Sequence, residues 1–348
     1  MPDRAVNLPF AGSVPFAEEH PGGLSAHAAR TAQETARFTG EVEVHDLPPI
    51  FHYWSDRYLR PKLEYFGAVG IDDYFANALE KVLDSVQGPA RFVSLGAGNC
   101  DTEVRVTQLL QERGLTDFTF DCVELTSAMV ERGRQLSLDA GVADRVRPVT
   151  GDVNIWRATQ PYDAVLANQC LHHVVNLEGL FDAITAGLRP EGRLITSDMI
   201  GRNGHQRWPE ARAIVEEFWG ELPKNYRYHL QLQRREELFL DWDCSVEGFE
   251  GIRSQDILPL LLDRFTFDDF LAFCNVIDPF IDRGFGPHFD PDNPWDRFFI
   301  DRVHARDEAE LAAGTITPTH MIATLRLGDG TAPKCWQSLT PEFCVRRS

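Results

Sequence analysis

The sequence predicts an α/β fold built on a mostly parallel sheet. Three observations carry this. Strand and helix signals alternate from residue 72 to residue 200. A glycine turn, Gly96-Ala97-Gly98, separates the first strand from the helix after it, and a carboxylate, Glu124, closes the next strand. Alternation at this spacing means right-handed βαβ units, which lay successive strands parallel.

Residues 1–50 are rich in Gly, Pro, Ala and acids, have weak periodicity, and read as an extended arm. FHYWSDRYLRPKLEYFG (51–67) follows, dense in aromatic and basic residues. Phe75, Leu79, Val82 and Val86 then recur at helical spacing and make an amphipathic helix. RFVSL (91–95) is a short buried strand ended by glycines, and 101–113 is a helix carrying Val104, Leu109 and Leu110. FTFDCVEL (118–125) is a strand, and 126–140 is a helix opened by the cap residues Thr126 and Ser127. VRPVT (146–150) and YDAVLAN (162–168) are strands, 177–188 is a helix stopped by Pro190 and Gly192, and GRLITSDMI (192–200) is the fifth strand. Beyond 200 the rhythm breaks. It resumes with a helix at 254–263 and a strand at 264–273, breaks again over 274–314, and closes with the strand PTHMIATLRL (318–327). The predicted organisation is an arm or lid at 1–70, a core at 71–200, a cap insertion at 201–250, a core helix and strand at 251–273, a second cap at 274–316, and a last strand with tail at 317–348.

At 348 residues the chain suits two domains, or one with large insertions, and 43% apolar residues exclude disorder as the main state. Thirty-four basic against 53 acidic residues give a net charge of −19, which argues against nucleic acid and anionic membrane partners. Seven cysteines without a CxxC pair read as free thiols of a cytoplasmic protein. MPDRAVNLPFAG lacks the basic and apolar runs of a signal peptide, and apolar stretches such as Ile257–Leu262 are too short to cross a bilayer.

Gly96 and Gly98 allow a tight turn and a close backbone approach to a ligand, and Glu124 can accept hydrogen bonds from a ribose diol. The third glycine of a dinucleotide fingerprint is replaced by Asp101. This argues against a nicotinamide oxidoreductase and for a ligand with ribose and adenine but no pyrophosphate. With VSLGAGNCD at the turn, VELTSAM (123–129), GDVN (151–154), ANQCLHHV (167–174) and LRPEGRLITSDM (188–199), the chain resembles the class I S-adenosylmethionine-dependent methyltransferases. The resemblance is clear over about 72–200 and weaker at 318–327. It implies a Rossmann-like sheet with an antiparallel last strand, and S-adenosyl-L-methionine as cofactor, with S-adenosyl-L-homocysteine as product.

Carried over by position, Gly96, Ala97, Gly98 and Asn99 would pass the methionine part of the cofactor. Glu124 and Leu125 would meet the ribose. Met129 would pack on the adenine, or simply in its helix interface. Asp152 would accept from the adenine amino group beside Val153, or close a turn. Asn168 and Gln169 would lie at the sulfonium end. Ser94 departs from the family, which often has an acid there.

His172 and His173 follow this segment. A hydroxyl or ammonium acceptor needs a base, and histidine suits neutral pH, so both are candidates, with His172 ahead; the alternative is that they orient the loop and pack. No metal is expected, because adjacent histidines point different ways and no third ligand of clear spacing follows. Both insertions rise on the cofactor side if 264–273 is parallel to the other strands. Their aromatics include Trp208, Trp219, Tyr226, Tyr228 and Trp242 in the first, and Phe280, Phe285, Phe289 and Trp295 in the second. They line an acceptor pocket or form the caps' own core. Trp208, Tyr228, His205 and Arg207 are the substrate candidates, with His229, Arg253 and His288 as further polar contacts and Arg57, Tyr58 and Arg60 closing from the arm. The reading is metal-independent methyl transfer to oxygen or nitrogen of a small molecule. Methylation of a protein or peptide side chain, and non-catalytic cofactor binding, are the alternatives. A homodimer is left open.

Overall fold

The computed structural model describes residues 30–32, 47–246 and 248–346, so most of the expected arm lies outside the described residues. The aromatic-basic stretch is helical. Helix α1 (Pro49–Trp54), a π-helical turn (Ser55–Leu59) and α2 (Arg60–Tyr65) follow one another without a break. Its aromatics dock it: Trp54 Nε1 donates to His304 Nδ1 at 3.3 Å, Tyr58 stacks on the same ring at 3.8 Å, and the Tyr53 and Tyr58 hydroxyls both donate to Asp301.

The alternating region follows: α3 (Ile71–Ser85), β1 (Ala90–Leu95), α4 (Asp101–Glu112), β2 (Phe118–Glu124), α5 (Ser127–Asp139), β3 (Val146–Thr150), β4 (Tyr162–Asn168), α6 (Leu177–Gly187) and β5 (Leu188–Met199). The fifth strand starts four residues earlier than the sequence suggests. Leu188 pairs with Tyr162 before a register shift brings Arg193 opposite Ala164, so Pro190–Gly192 bulge within the strand instead of preceding it. The first insertion holds α7 (Pro209–Glu221) and a small ribbon, β6 (Tyr228–His229) with β7 (Arg234–Arg235). Then come α8 (Ser254–Leu262), β8 (Thr266–Phe273), α9 (Asp278–Ile281), α10 (Pro294–Ala313), β9 (His320–Arg326), β10 (Lys334–Cys335) and α11 (Pro341–Cys344).

The main sheet runs β10-β8-β9-β5-β4-β1-β2-β3. Only β9 is antiparallel to its neighbours, β5 and β8. Strand β8 is therefore parallel to β5, and both insertions leave from the same edge of the sheet. Alternate side chains feed two cores: Phe92, Ala164 and Leu166 on one face with α3 and α4, and Val93, Val165 and Ala167 on the other with α6 and α8. The strand order reverses between β1 and β4, and in such sheets ligands bind outside the carboxyl ends of the strands at that point.

The insertions pack on each other. Trp219 of α7 meets Phe280 and Phe285, Phe218 meets Phe299, and Arg302 of α10 forms a double hydrogen bond with Glu221. Trp219, Phe280, Phe289 and Phe299 are fully buried, so these aromatics are the caps' own core. All seven cysteines are free thiols, and among the described residues no helix is long and apolar enough to cross a membrane.

Candidate active site

The glycine turn sits where β1 meets α4. Gly96 and Gly98 have φ of 67° and 55°, the left-handed region that disfavours a side chain. A Cβ on Gly96 would also lie 2.5 Å from Cys170 Sγ, whereas one on Gly98 would meet only open space. Glu124 ends β2 against this turn. Its Oε2 accepts from Gly98 N at 3.0 Å and its Oε1 from Thr126 N at 2.8 Å. Each oxygen accepts one N–H here, so the carboxylate keeps capacity for two further donors, as a ribose diol requires. Asn99 Oδ1 accepts from Arg132 at 2.9 Å, Met129 is buried, and Leu125 and Val153 are half-buried. Asp152 Oδ1 accepts from the backbone and side-chain nitrogens of Asn154, so it closes a turn.

The departure at Ser94 has a structural counterpart. Ser94 Oγ donates to Glu103 Oε1 at 2.6 Å, bringing a carboxyl from α4 to the end of β1. Glu103 is 2% exposed, and burial pushes its carboxyl up to about 7 despite the Ser94 bond. The folded chain thus holds a proton that the unfolded chain loses near 4.5. This contribution is full below about pH 4.5 and is lost as pH rises through 7, on the order of 3 kcal/mol in total. Glu103→Gln should abolish this pH dependence. Its stability relative to the parent protein should rise between pH 5 and pH 8.5 in urea unfolding. A constant difference between the two proteins would mean that Glu103 is charged throughout.

Past β4, Asn168 Nδ2 donates to Thr102 Oγ1 at 3.2 Å, and Gln169, at φ 50°, bonds back to Ser197. The loop after it is organised by Asp198 of β5, which is wholly buried. Its carboxylate accepts from the backbone nitrogens of Cys170, Leu171, His172 and Met199, and from His172 Nδ1 at 2.7 Å. Burial would raise this carboxyl, but His172 and the N–H groups hold it below its ordinary range.

A cavity of about 1,140 Å³ opens from Thr102, Asn168 and Gln169 and runs beneath both insertions, with α1, the π-turn and α2 as a third wall. Ligand pockets are typically about 300–1,000 Å³, so this one can hold a cofactor end together with an acceptor. Seven non-glycine residues among those described have left-handed backbones, and four of them, Gln169, His205, Asp241 and Cys274, line the cavity. Backbone strain of this kind concentrates at functional sites. Phe51, Trp54, Phe239, Trp242, Phe273 and Phe285 supply its aromatic wall.

The expected acceptor contacts divide. His205, Arg207, His229 and Arg60 line the cavity, but Trp208 and Tyr228 do not. Trp208 faces the guanidinium groups of Arg202 and Arg346, at 5.3 and 4.1 Å from its rings, and the Tyr228 carbonyl accepts from His288 Nε2. Arg253 clamps Glu178 and Asp256, while Arg57 and Tyr58 bond to each other and to Asp301.

The base role expected of His172 does not suit its position. The residue is 4% exposed, lies off the cavity wall, and has Nδ1 on Asp198 and Nε2 3.5 Å from Glu250. Burial disfavours its charge, but the two carboxylates outweigh it and raise the imidazole to about 10, which favours the charged ring and makes it a poor base at neutral pH. His173 also lies off the wall, with Nε2 4.0 Å from Glu250. The two rings do not diverge: both turn an Nε2 toward the same carboxylate.

A better placed imidazole is His320, at the start of β9. It lines the cavity, stacks on Phe273 and stands opposite Met199 in the sheet. Thr319 Oγ1 donates to Asp278 Oδ2 at 2.6 Å, so the same hydroxyl must accept from His320 Nδ1 at 2.9 Å. That relay fixes the proton on Nδ1 and leaves Nε2, which makes no hydrogen bond among the described residues, as the free base. Burial lowers this imidazole further, with Arg207 and His172 acting in the same sense against Asp278 and Asp282. Periodicity places residue 320 at a strand edge and nothing more; its partner Asp278 is 42 residues upstream, so no local motif marks the pair.

A family model described as a methyltransferase domain matches residues 70–253, just over half of the chain. No curated protein matches the sequence. Among solved structures, the DszA carbon methyltransferase is 18% identical at TM-score 0.33, over 37% of this chain, and the chain spans only 35% of that one. The O-methyltransferase from the trans-AT PKS multienzyme of Brevibacillus brevis is 15% identical at TM-score 0.40, over 72% of both chains. A SAM-dependent methyltransferase from Geobacter sulfurreducens is 12% identical at TM-score 0.43, over 85% of this chain and 98% of its own. Likenesses at this level carry no weight for substrate or mechanism.

Proposed function

This chain belongs to the class I S-adenosylmethionine-dependent methyltransferases, and on that premise we propose that it methylates an oxygen or nitrogen of a small molecule enclosed in the 1,140 Å³ cavity. The observation that carries the substrate class is the cover over the cavity. Two mutually packed insertions and the α1–α2 segment roof the cavity, whereas a protein side chain would call for an open cleft.

S-adenosylmethionine supplies an electrophilic methyl on a sulfonium. The residues present fit it: the Gly98 turn is open on its ligand side, and Glu124 keeps acceptor capacity for the ribose hydroxyls. Gly96 to Asn99 would hold the amino-acid part, Met129 with Asp152 and Val153 the adenine, and Asn168 and Gln169 the end from which the cavity opens. The cavity walls exclude water and align the acceptor, which is the main requirement of an in-line displacement. His320 Nε2 takes the acceptor's proton, while Thr319 and Asp278 hold its ring.

Calorimetry should show binding of S-adenosylmethionine and S-adenosylhomocysteine and no comparable binding of NAD. Glu124→Ala should weaken the former by about 1–3 kcal/mol, the cost of stranding donors on a bound diol. Incubation with hydroxylated and amine small molecules should release S-adenosylhomocysteine. Turnover confined to peptides would overturn the substrate class, and tight NAD binding would overturn the cofactor.

A further inference from the structure

Beside the cavity lies a cluster that the methyl-transfer reading does not use. Three imidazole Nε2 atoms converge on the carboxylate of Glu250: His205 at 2.8 Å, His172 at 3.5 Å and His173 at 4.0 Å. The donor atoms of His172, His173 and Glu250 all lie within 4.8 Å of one another. Ligands held about 2.1 Å from a tetrahedral ion stand roughly 3.4 Å apart, so these atoms are already near the spacing of a coordination sphere.

We propose that His172, His173 and Glu250 bind a first-row divalent cation at the cavity wall, with Asp198 and His205 as outer-sphere partners. Two histidines and a carboxylate are a recurrent three-ligand set for such ions, and they leave coordination positions open. The surroundings supply His172 and Glu250 with what ligands of this kind need. A metal-bound histidine almost always donates its other ring N–H to a carboxylate or carbonyl. Here Asp198, committed to accepting by four backbone N–H groups, holds the His172 proton on Nδ1, so an ion would displace the proton on Nε2 and take that nitrogen as its ligand. His205 gives Glu250 the equivalent support.

The backbone is fixed around the same point. Ile252 N donates to His172 O at 3.1 Å and Gly204 N to Gly251 O at 2.8 Å, tying the first insertion to the loop after β4. His205 is held at φ 55°, with its ring against Gly251, where even a methyl would lie 3.0 Å from Cε1. Charge agrees as well, since one buried carboxylate, Asp198, and one half-buried carboxylate, Glu250, face the rings. Glu250 and His205 line the cavity, so the open positions of an ion on Glu250 fall on the acceptor's side. An acceptor oxygen is the ligand such an ion would take there. That last step rests on the methyl-transfer reading; the ion site does not.

The test is titration of Zn²⁺, and of Co²⁺ read by its d–d absorption, into the chelator-treated full chain. One equivalent should bind. Glu250→Gln and His173→Asn should each weaken binding roughly 100-fold or more, and Asp198→Asn by about 10–100-fold, the usual loss for an outer-sphere partner. Circular dichroism checks that each variant is folded; His173, with a side chain 22% exposed, is the substitution the fold tolerates best. His320→Gln should leave stoichiometry and affinity unchanged, because it removes only the separate group Cys274, Asp278 and His320. No binding by the parent protein, or equal binding by the folded Glu250→Gln and His173→Asn variants, would overturn the site. Homocysteine-cofactor calorimetry on the same sample separates the two readings: zinc bound without S-adenosylhomocysteine overturns the methyltransferase reading and leaves the site standing.

Discussion

His320→Gln should lower kcat by roughly 10²–10⁴-fold, the usual contribution of a positioned general base. Cofactor affinity should change little, because β9, which carries His320, lies three strands from β1 and its glycine turn. The parent kcat should rise with pH along a limb below the ordinary imidazole value, since burial, Arg207 and His172 all favour the neutral ring over the opposing pull of Asp278 and Asp282. Above that limb, activity should be flat through neutrality. The variant should lack the limb and recover in part at high pH, where the acceptor deprotonates without help. Thr319→Val is the paired test. It cuts the relay from Asp278 to Nδ1 but leaves the base in place, so it should give a smaller loss with the limb displaced. Near-full kcat in His320→Gln would leave alignment as the source of rate.

Arg207→Met should destabilise the chain by about 3–5 kcal/mol, the range for removing one partner of a buried ion pair. Its side chain is 8% exposed and makes three hydrogen bonds at once. Nε donates to Asn275 O at 3.0 Å, Nη2 to Asp278 Oδ2 at 3.1 Å, and Nη1 to the His205 carbonyl. Methionine keeps most of the packing volume but leaves Asp278 without its cation, the His205 carbonyl without this donor, and the Asn275 carbonyl with only the long bond from Asp278 N. Because Asp278 also orients Thr319, activity at temperatures where the variant is folded should fall as well. Urea unfolding measures the first effect, and kcat in the folded range the second. A loss below about 1 kcal/mol would mean that water replaces the guanidinium, as it does at exposed pairs.

The parts of this protein that follow local rules could be read without coordinates. The buried strand Tyr162–Asn168 is a short apolar run, and the edge strand Val146–Thr150 a short run with two valines; both form where their composition places them. The Gly96–Gly98 turn and Glu124 are legible because their geometry is set by neighbours in sequence: a positive φ needs glycine, and a carboxylate at a strand end faces the preceding turn across one ladder spacing. The antiparallel run at His320–Arg326 is what the family resemblance implied, the cap positions follow from sheet logic, and the short parallel β10 after it was not read. The fifth strand shows the limit, since its start is fixed by pairing with Tyr162 and not by Pro190 or Gly192.

The polar site was decided by contacts that no spacing encodes. His172 is next to His173 in sequence, but its chemistry is set by Asp198, 26 residues away, and by Glu250, far beyond that. Adjacent residues in a helix or strand diverge, but the short 3₁₀ turn at Leu171–His173 lets both rings lean toward one partner, 4.2 Å apart. The Trp208 side chain is held outside the pocket between two arginines, and Tyr228 is tied into the caps through its backbone carbonyl, while Phe51 and Trp54 entered the pocket from a segment the sequence left without a fold. The His320–Thr319–Asp278 relay exists only because β9 returns between β5 and β8 and sets its first residue beside α9. Periodicity and turn chemistry act over a few residues and so can be read along the chain; burial, ion pairing and proton placement depend on which distant segments meet, and only the folded chain settles that.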